Sequence, residues 1–161
     1  MVLKEGDKAK NFCLKGISPD GEEGTFCLKD FLNKGKFVIL YFYPKDNTSR
    51  CTLEAKDFRD SMDKIKDKAF VVGVSPDSIK SHKNFMEKHK LNFYLLSDTE
   101  KEVMEEYGVY GEKKMYGKVR MGVKKSTFII SSEGKIVRAW VNVRAKGHVE
   151  KVIDEIKNLK T

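Results

Sequence analysis

A chain of 161 residues, 40% apolar and 35% charged, is long enough for one ordinary domain with a core and too short for two comfortable ones. No apolar run approaches the roughly 20 residues of a membrane-spanning helix, and the start, MVLKEGDKAKNF, lacks the apolar stretch of a secretory signal, so the expected setting is the cytoplasm, without a membrane partner. The net charge of +8 is mostly lysine interleaved with acids, as in DKIKDK. That pattern reads as solvated helix faces and argues against nucleic acid as the main partner.

In chain order, NFCLKG and GTFCLKD alternate like two half-buried strands around the turn SPDGEEG, an N-terminal β-hairpin. KFVILYFY is a near-continuous apolar run, as expected of a central strand covered on both faces. SRCTLEAKDFRDSMDKIKD reads as a helix, AFVVGVS as a second buried strand, and DSIKSHKNFMEKHK as another helix. A short strand at FYLLS and a helix at TEKEVMEEYG follow. STFIISSEGKIVRAWV is a hairpin turning at Ser132-Glu133-Gly134, and GHVEKVIDEIKNLK places Val149, Val152, Ile153, Ile156 and Leu159 on one helical face. Strands alternating with helices imply a layered α/β domain over residues 1–161. The final hairpin makes its central sheet mixed rather than all parallel, with helices flanking it.

Several chemistries are weighed and set aside. GEKKMYGKV has a superficial likeness to a phosphate loop, but the spacing is one residue too long. Val119 also stands where the magnesium-binding Ser or Thr is needed. The stretch reads as a basic surface loop. His82 and His89 share a helical face but lie roughly 10 Å apart along the axis. They read as surface histidines, with no His or Cys at a chelating offset and hence no metal expected. His148 belongs to the start of the last helix. No G-x-S-x-G elbow is present.

The cysteines are Cys13, Cys27 and Cys51, an odd and sparse set with no CxxC. In a reducing cytosol they are expected as free thiols unless one has a redox role. The bland reading of Cys51 is a buried structural thiol. Three local features favour a reactive one. Thr48 is a good N-cap residue and puts Cys51 in the first helical turn, where unpaired N–H groups and the dipole favour a thiolate. Cys51, Ala55, Phe58, Met62 and Ile65 are spaced 4, 3, 4 and 3, so the thiol shares the inward face. Pro44 ends the preceding strand, which leaves 44–50 as a loop around the sulfur.

The motif Pro44-x-x-x-Thr48-x-x-Cys51 resembles the signature of the peroxiredoxins. The stretches FYPKDNT, CTLEAKDFRD, LLSD, YGVYGEKKMYGK, STFIISSEGKI and KGHVEKV are similar to the bacterioferritin comigratory protein branch, also called PrxQ. The likeness spans essentially the whole chain. It implies a thioredoxin-like fold and a thiol peroxidase acting on hydrogen peroxide and organic hydroperoxides, with no cofactor. It also implies site roles: Cys51 as the peroxidatic nucleophile, Thr48 hydrogen-bonding thiolate and peroxide, Pro44 shielding the pocket, and Glu54 orienting a basic neighbour. Three positions depart from the branch. Ser49-Arg50 replaces its frequent Pro-Gly, Lys125 stands at the family's arginine, and Lys56 stands where a resolving cysteine is often found. The helix at DSIKSHKNFMEKHK, the other usual place, has no cysteine either.

The expectation is therefore a one-cysteine cycle. The reductant would be thioredoxin, glutaredoxin, glutathione or another external thiol, and the protein a monomer or weak dimer. A peroxide-sensing thiol protein with little turnover is the alternative. For Cys13 and Cys27, which face away from their core-facing Phe and Leu neighbours, the favoured reading is two free thiols on a half-exposed face. A disulfide between them, or transfer of oxidation from Cys51, is the other possibility.

Overall fold

The computed structural model describes residues 2–159. The N-terminal hairpin is β1 (Cys13–Ile17) and β2 (Glu23–Cys27), followed by α1 (Leu28–Leu32). Then come β3 (Phe37–Phe42), α2 (Ser49–Ile65), β4 (Ala69–Ser75), α3 (Ile79–His89), β5 (Tyr94–Ser97) and α4 (Glu102–Glu106). The chain ends with β6 (Tyr110–Met115), β7 (Lys118–Val123), β8 (Ser126–Ile130), β9 (Ile136–Trp140) and α5 (His148–Asn158).

Seven strands form one sheet in the order β2-β1-β5-β4-β3-β8-β9. The central three, β3, β4 and β5, are parallel, while β1 and β8 join them antiparallel. The sheet is thus mixed, with helices on both faces. β3 is buried along its whole length, because each of its faces meets its own apolar cluster. Ile39 and Tyr41 join Phe58 of α2, Phe85 of α3 and Val152 of α5. Val38, Leu40 and Phe42 join Phe31 of α1, Met104 of α4 and Phe128 of β8.

Three readings of the sequence need correction. The stretch GEKKMYGKV is not a loop but most of the β6–β7 hairpin, a two-stranded sheet of its own. Its register pairs Met115 with Lys118, so Tyr116 and Gly117 form a two-residue turn, with φ of 53° and 77°. Positive φ at both turn positions matches the twist of paired strands. A tyrosine there gives no sequence signal for it.

His82 is not a surface histidine. It is fully buried, because α3 turns Ile79, His82, Phe85 and Met86 inward at spacings of three, three and one. His89 lies half-buried one turn further on, edge-on to Phe85. Cys13 and Cys27 are not free thiols. The five-residue turn between β1 and β2 sets a register that puts them directly opposite each other, Cα atoms 4.1 Å apart, and they form a disulfide.

The hairpin rests on β5 through Gly16. A Cβ on Gly16 would sit 2.4 Å from both the Leu95 carbonyl oxygen and Leu96 Cδ2. The first contact is with backbone and cannot rotate away, so Gly16→Ala must lift β1 off the sheet. The expected cost is about 3 kcal/mol, read as a lower midpoint in urea unfolding. A midpoint equal to wild type would show that the β1–β5 contact yields freely.

Candidate active site

The site begins where β3 ends. Tyr43 still donates its N–H to Val74 O at 3.0 Å, after which Pro44 has no N–H to give the ladder. Asn47 takes φ 64°, and Thr48, extended at φ −77° and ψ 153°, occupies the N-cap position of α2. Its hydroxyl does not bond to the helix but donates to Lys45 O at 3.0 Å. Cys51 lies in the first turn of α2, is the free cysteine of the chain, and is 2% exposed. No acidic residue occupies that first turn, so the positive end of a 17-residue helix faces the thiol unneutralised.

Lys125 closes the site from the other side. It sits between β7 and β8, and its backbone carbonyl accepts from Val143 N–H at 2.9 Å. Its Nζ reaches 3.6 Å from Cys51 Sγ and 3.2 Å from Glu54 Oε1. Both Lys125 and Glu54 are buried. The Lys125–Glu54 approach is not aligned as a hydrogen bond, and both carboxylate oxygens of Glu54 are without one, so the pair is held by charge. Burial pushes the Glu54 carboxyl up, and the Lys125 ammonium pulls against that rise.

More cations surround the thiol. Lys113 on β6 donates to Val123 O at 2.9 Å. Burial lowers its pKa first, Cys51 opposes the fall, and Lys125, Arg50 and Lys124 add repulsion. Beside the first turn of α2, Arg50, Leu53, Arg144, Ala145 and Lys146 line an open cleft of about 500 Å³. Pro44 is half-buried in the loop, and Lys56 is exposed on the outer face of α2.

Sequence reasoning missed Lys113, which lies in the unrecognised hairpin. It also missed a second cluster beneath the loop, where Asp46, Asp77 and His82 bring one ligand atom each within 4.8 Å of one another. Their oxygens already have protein donors. The Tyr43 hydroxyl donates to Asp46 Oδ1 at 2.6 Å, and the Ser81 hydroxyl to Asp46 Oδ2 at 2.8 Å. Asp77 Oδ2 receives the Ser75 hydroxyl at 2.6 Å and Asp46 N–H at 2.7 Å. These carboxylate oxygens are therefore engaged by hydrogen-bond donors of the protein itself.

His148 also adjoins the site. Its Nε2 shares a 2.7 Å hydrogen bond with the Thr127 hydroxyl, and its ring is edge-on to Trp140.

Residues 5–139 match the AhpC/TSA family. The chain is 44% identical over 160 residues to Peroxiredoxin Bcp of Bacillus subtilis, covering 99% of this chain and 98% of that protein. It is 46% identical over 155 residues to a putative peroxiredoxin bcp of Helicobacter pylori, covering 96% of this chain and 98% of the relative. Among solved structures, PrxQ of Xylella fastidiosa superposes with a TM-score of 0.86 at 33% identity, over 98% of this chain and 96% of that one. The expected thioredoxin-like peroxiredoxin fold is thereby established, N-terminal strand pair included.

The pKa of His148 is lowered to about 4, chiefly by burial and further by Lys125 and Lys151. The unfolded chain protonates this histidine near its ordinary 6.5, so between those values the unfolded state holds the extra proton. Stability contributed by neutral His148 is therefore lost as pH falls through that window. The raised carboxyl of Glu54 works in the opposite sense, which makes a variant comparison necessary. His148→Gln is expected to lose less Tm than wild type on acidification from about pH 7 to pH 5. Equal losses would remove His148 from the acid response.

Proposed function

The chain belongs to the AhpC/TSA family, whose Bcp and PrxQ members are thiol-dependent peroxidases, and we propose that Cys51 is its peroxidatic cysteine, reducing hydrogen peroxide and organic hydroperoxides. The observation that carries this reading is the 3.6 Å contact from Lys125 Nζ to a cysteine in the first turn of α2. An ammonium and a helix N-terminus together favour the thiolate, the form that attacks. The thiolate sulfur bonds to one peroxide oxygen, the O–O bond breaks, and the departing oxygen takes a proton as alcohol or water. Sulfur leaves as sulfenic acid, oxidised by two electrons. Lys125 stabilises the charge developing on the departing oxygen, and Glu54 holds the ammonium in place. Pro44 shields the pocket, and Thr48 assists once its hydroxyl turns from Lys45 O toward the sulfur.

We assign the second half of the cycle to an external thiol. Lys56 replaces the usual resolving cysteine, and α3 has none. One thiol condenses with the sulfenic acid and releases water, and a second frees Cys51. Thioredoxin, glutaredoxin or glutathione is the fitting class of reductant, in a cytoplasmic monomer or weak dimer.

One observation favours a second route for the oxidation. β1 runs antiparallel to β5, so Cys13 lies at the same end of the sheet as Cys51. It is three strands from β3, roughly 14 Å at ordinary strand spacing, so the Cys13–Cys27 pair is reached only after the start of α2 moves. Peptide mapping of fully reduced protein after one equivalent of peroxide separates the routes. The expected product is Cys51 sulfenic acid, with Cys13 and Cys27 still reduced. A Cys13–Cys27 disulfide that grows as the sulfenic acid decays would replace the one-cysteine cycle. Cys51→Ser is expected to abolish turnover, and near wild-type consumption of peroxide by that variant would overturn the assignment.

Lys125 is a mobile point charge where an arginine would offer a rigid fork of donors. Lys125→Ala should slow Cys51 oxidation by about 3 kcal/mol, the usual worth of one donor to a developing charge. Lys125→Arg should match or exceed wild type, because its extra donors can reach the Glu54 oxygens. Stopped-flow oxidation rates test both, and an alanine variant as fast as wild type would take Lys125 out of the site.

A further inference from the structure

The loop that leads into α2 just before Cys51 is tied down by one side chain. Among the described residues, the hydrogen bonds that fasten residues 44–48 back to Tyr43 at the end of β3, the β4–α3 connection and α3 all pass through Asp46. Its Oδ1 accepts from the Tyr43 hydroxyl at 2.6 Å, its Oδ2 from the Ser81 hydroxyl at 2.8 Å, and its N–H donates to Asp77 Oδ2 at 2.7 Å. Asp77 is itself fixed by Ser75 at the end of β4. The remaining hydrogen bonds of the loop are local, from the Thr48 hydroxyl to Lys45 O and from Thr52 N–H to Thr48 O.

The receptor for Asp46 is built around His82. His82 Nδ1 is 2.7 Å from Asp46 Oδ2, and Nε2 is 2.9 Å from Leu96 O on β5. The Nδ1 approach is close but not aligned as a hydrogen bond. An acceptor oxygen thus faces each ring nitrogen. Asp46 is 4% exposed and His82 is 0% exposed. A carboxylate this buried is stable only while its partners stay in place.

We propose that Asp46 is the latch of the Cys51 loop, and that its release from the His82–Ser81–Asp77 receptor admits a thiol reductant to the oxidised sulfur. The proposal rests on the reading of Cys51 as the reacting thiol. With the latch shut, Cys51 is 2% exposed and sits against Lys125, a geometry fit for a small hydroperoxide but closed to a bulkier thiol. Resolution needs the thiol sulfur to bond to Cys51 Sγ while the S–O bond breaks and the departing hydroxide takes the thiol proton as water. That approach requires residues 44–48 to swing away. The closed state serves oxidation and the open state serves resolution, so weakening the latch shifts population from one step to the other. Asp46 and His82 are positioning residues in this scheme, because neither touches the sulfur.

Asp46→Asn, His82→Gln and the milder Ser81→Ala test the latch, each beside wild type. Hydrogen exchange of the reduced protein should quicken about tenfold over residues 44–55, the worth of one buried hydrogen-bonding partner, while β3 and β4 keep their protection. Cys51 oxidation by hydrogen peroxide should slow, and capture of its sulfenic acid by glutathione should quicken, each by about tenfold in the first two variants and less in Ser81→Ala. Exchange that is unchanged, or that rises equally through β3 and β4, would overturn the proposal. So would the two rates moving in the same direction. Exchange is read without peroxide, so the latch is judged even if wild type consumes none, an outcome that would instead sink the reading of Cys51.

Discussion

A lysine ammonium buried between a thiol and a carboxylate is the constraint on which the rest of the site depends. Taking an ammonium out of water is costly unless opposite charge meets it. Lys125 is therefore tied to Glu54, with the Cys51 sulfur 3.6 Å from the same ammonium. The two sides of that contact come from separate parts of the chain. Cys51 and Glu54 arrive on α2, which β3 launches through Pro44, whereas Lys125 arrives at the head of β8. Only the pairing of β3 with β8, which sets Phe42 opposite Ser126, brings them together. The backbone bond from Val143 to Lys125 O then holds the lysine from behind.

The parallel core explains why a second polar cluster lies so close. β3, β4 and β5 all end at the same edge of the sheet, and their connections to the following helices gather there. β4 delivers Ser75 and Asp77, α3 delivers Ser81 and His82, and β5 offers the Leu96 carbonyl. One short loop, residues 44–48, lies between this network and the cationic site. The loop reports to both, so a change beneath it alters how the sulfur is covered without touching the sulfur.

The legible parts of the sequence were those in which local pattern and tertiary burial agree. KFVILYFY and AFVVGVS are strands because both faces of each are packed, and the stripe from Cys51 to Ile65 is the inward face of α2. The β6–β7 hairpin was hidden because the apolar residues that alternate along β7, Val119 and Met121, stand exposed among lysines and its turn is Tyr-Gly, not a familiar turn pair. His82 was misjudged because its type outweighed its place. It shares a helical stripe with Phe85 and Met86, and the Leu96 carbonyl, 14 residues on, meets its Nε2. The Cys13–Cys27 bond turned on hairpin register, which the length and geometry of the turn decide and the strands' own residues leave open. Glu54 and Lys125 stand 71 residues apart; the resemblance gave Glu54 an unnamed basic neighbour, and only the fold shows it to be Lys125.

The bond between Cys13 and Cys27 spans 14 residues of sequence and ties the two outermost strands on that side of the sheet. β1 is in register with β5 through only Gly16 and Ile17, so the hairpin has little else in the ladder to hold it. A loop of this length, closed covalently in the unfolded chain, contributes about 3 kcal/mol to stability, a large share of what a domain this size possesses. The redox poise of the compartment is therefore also a setting of its melting temperature. The same reducing thiols that serve Cys51 would, by opening the hairpin, soften one edge of the molecule, coupling the lifetime of the fold to the supply of reductant.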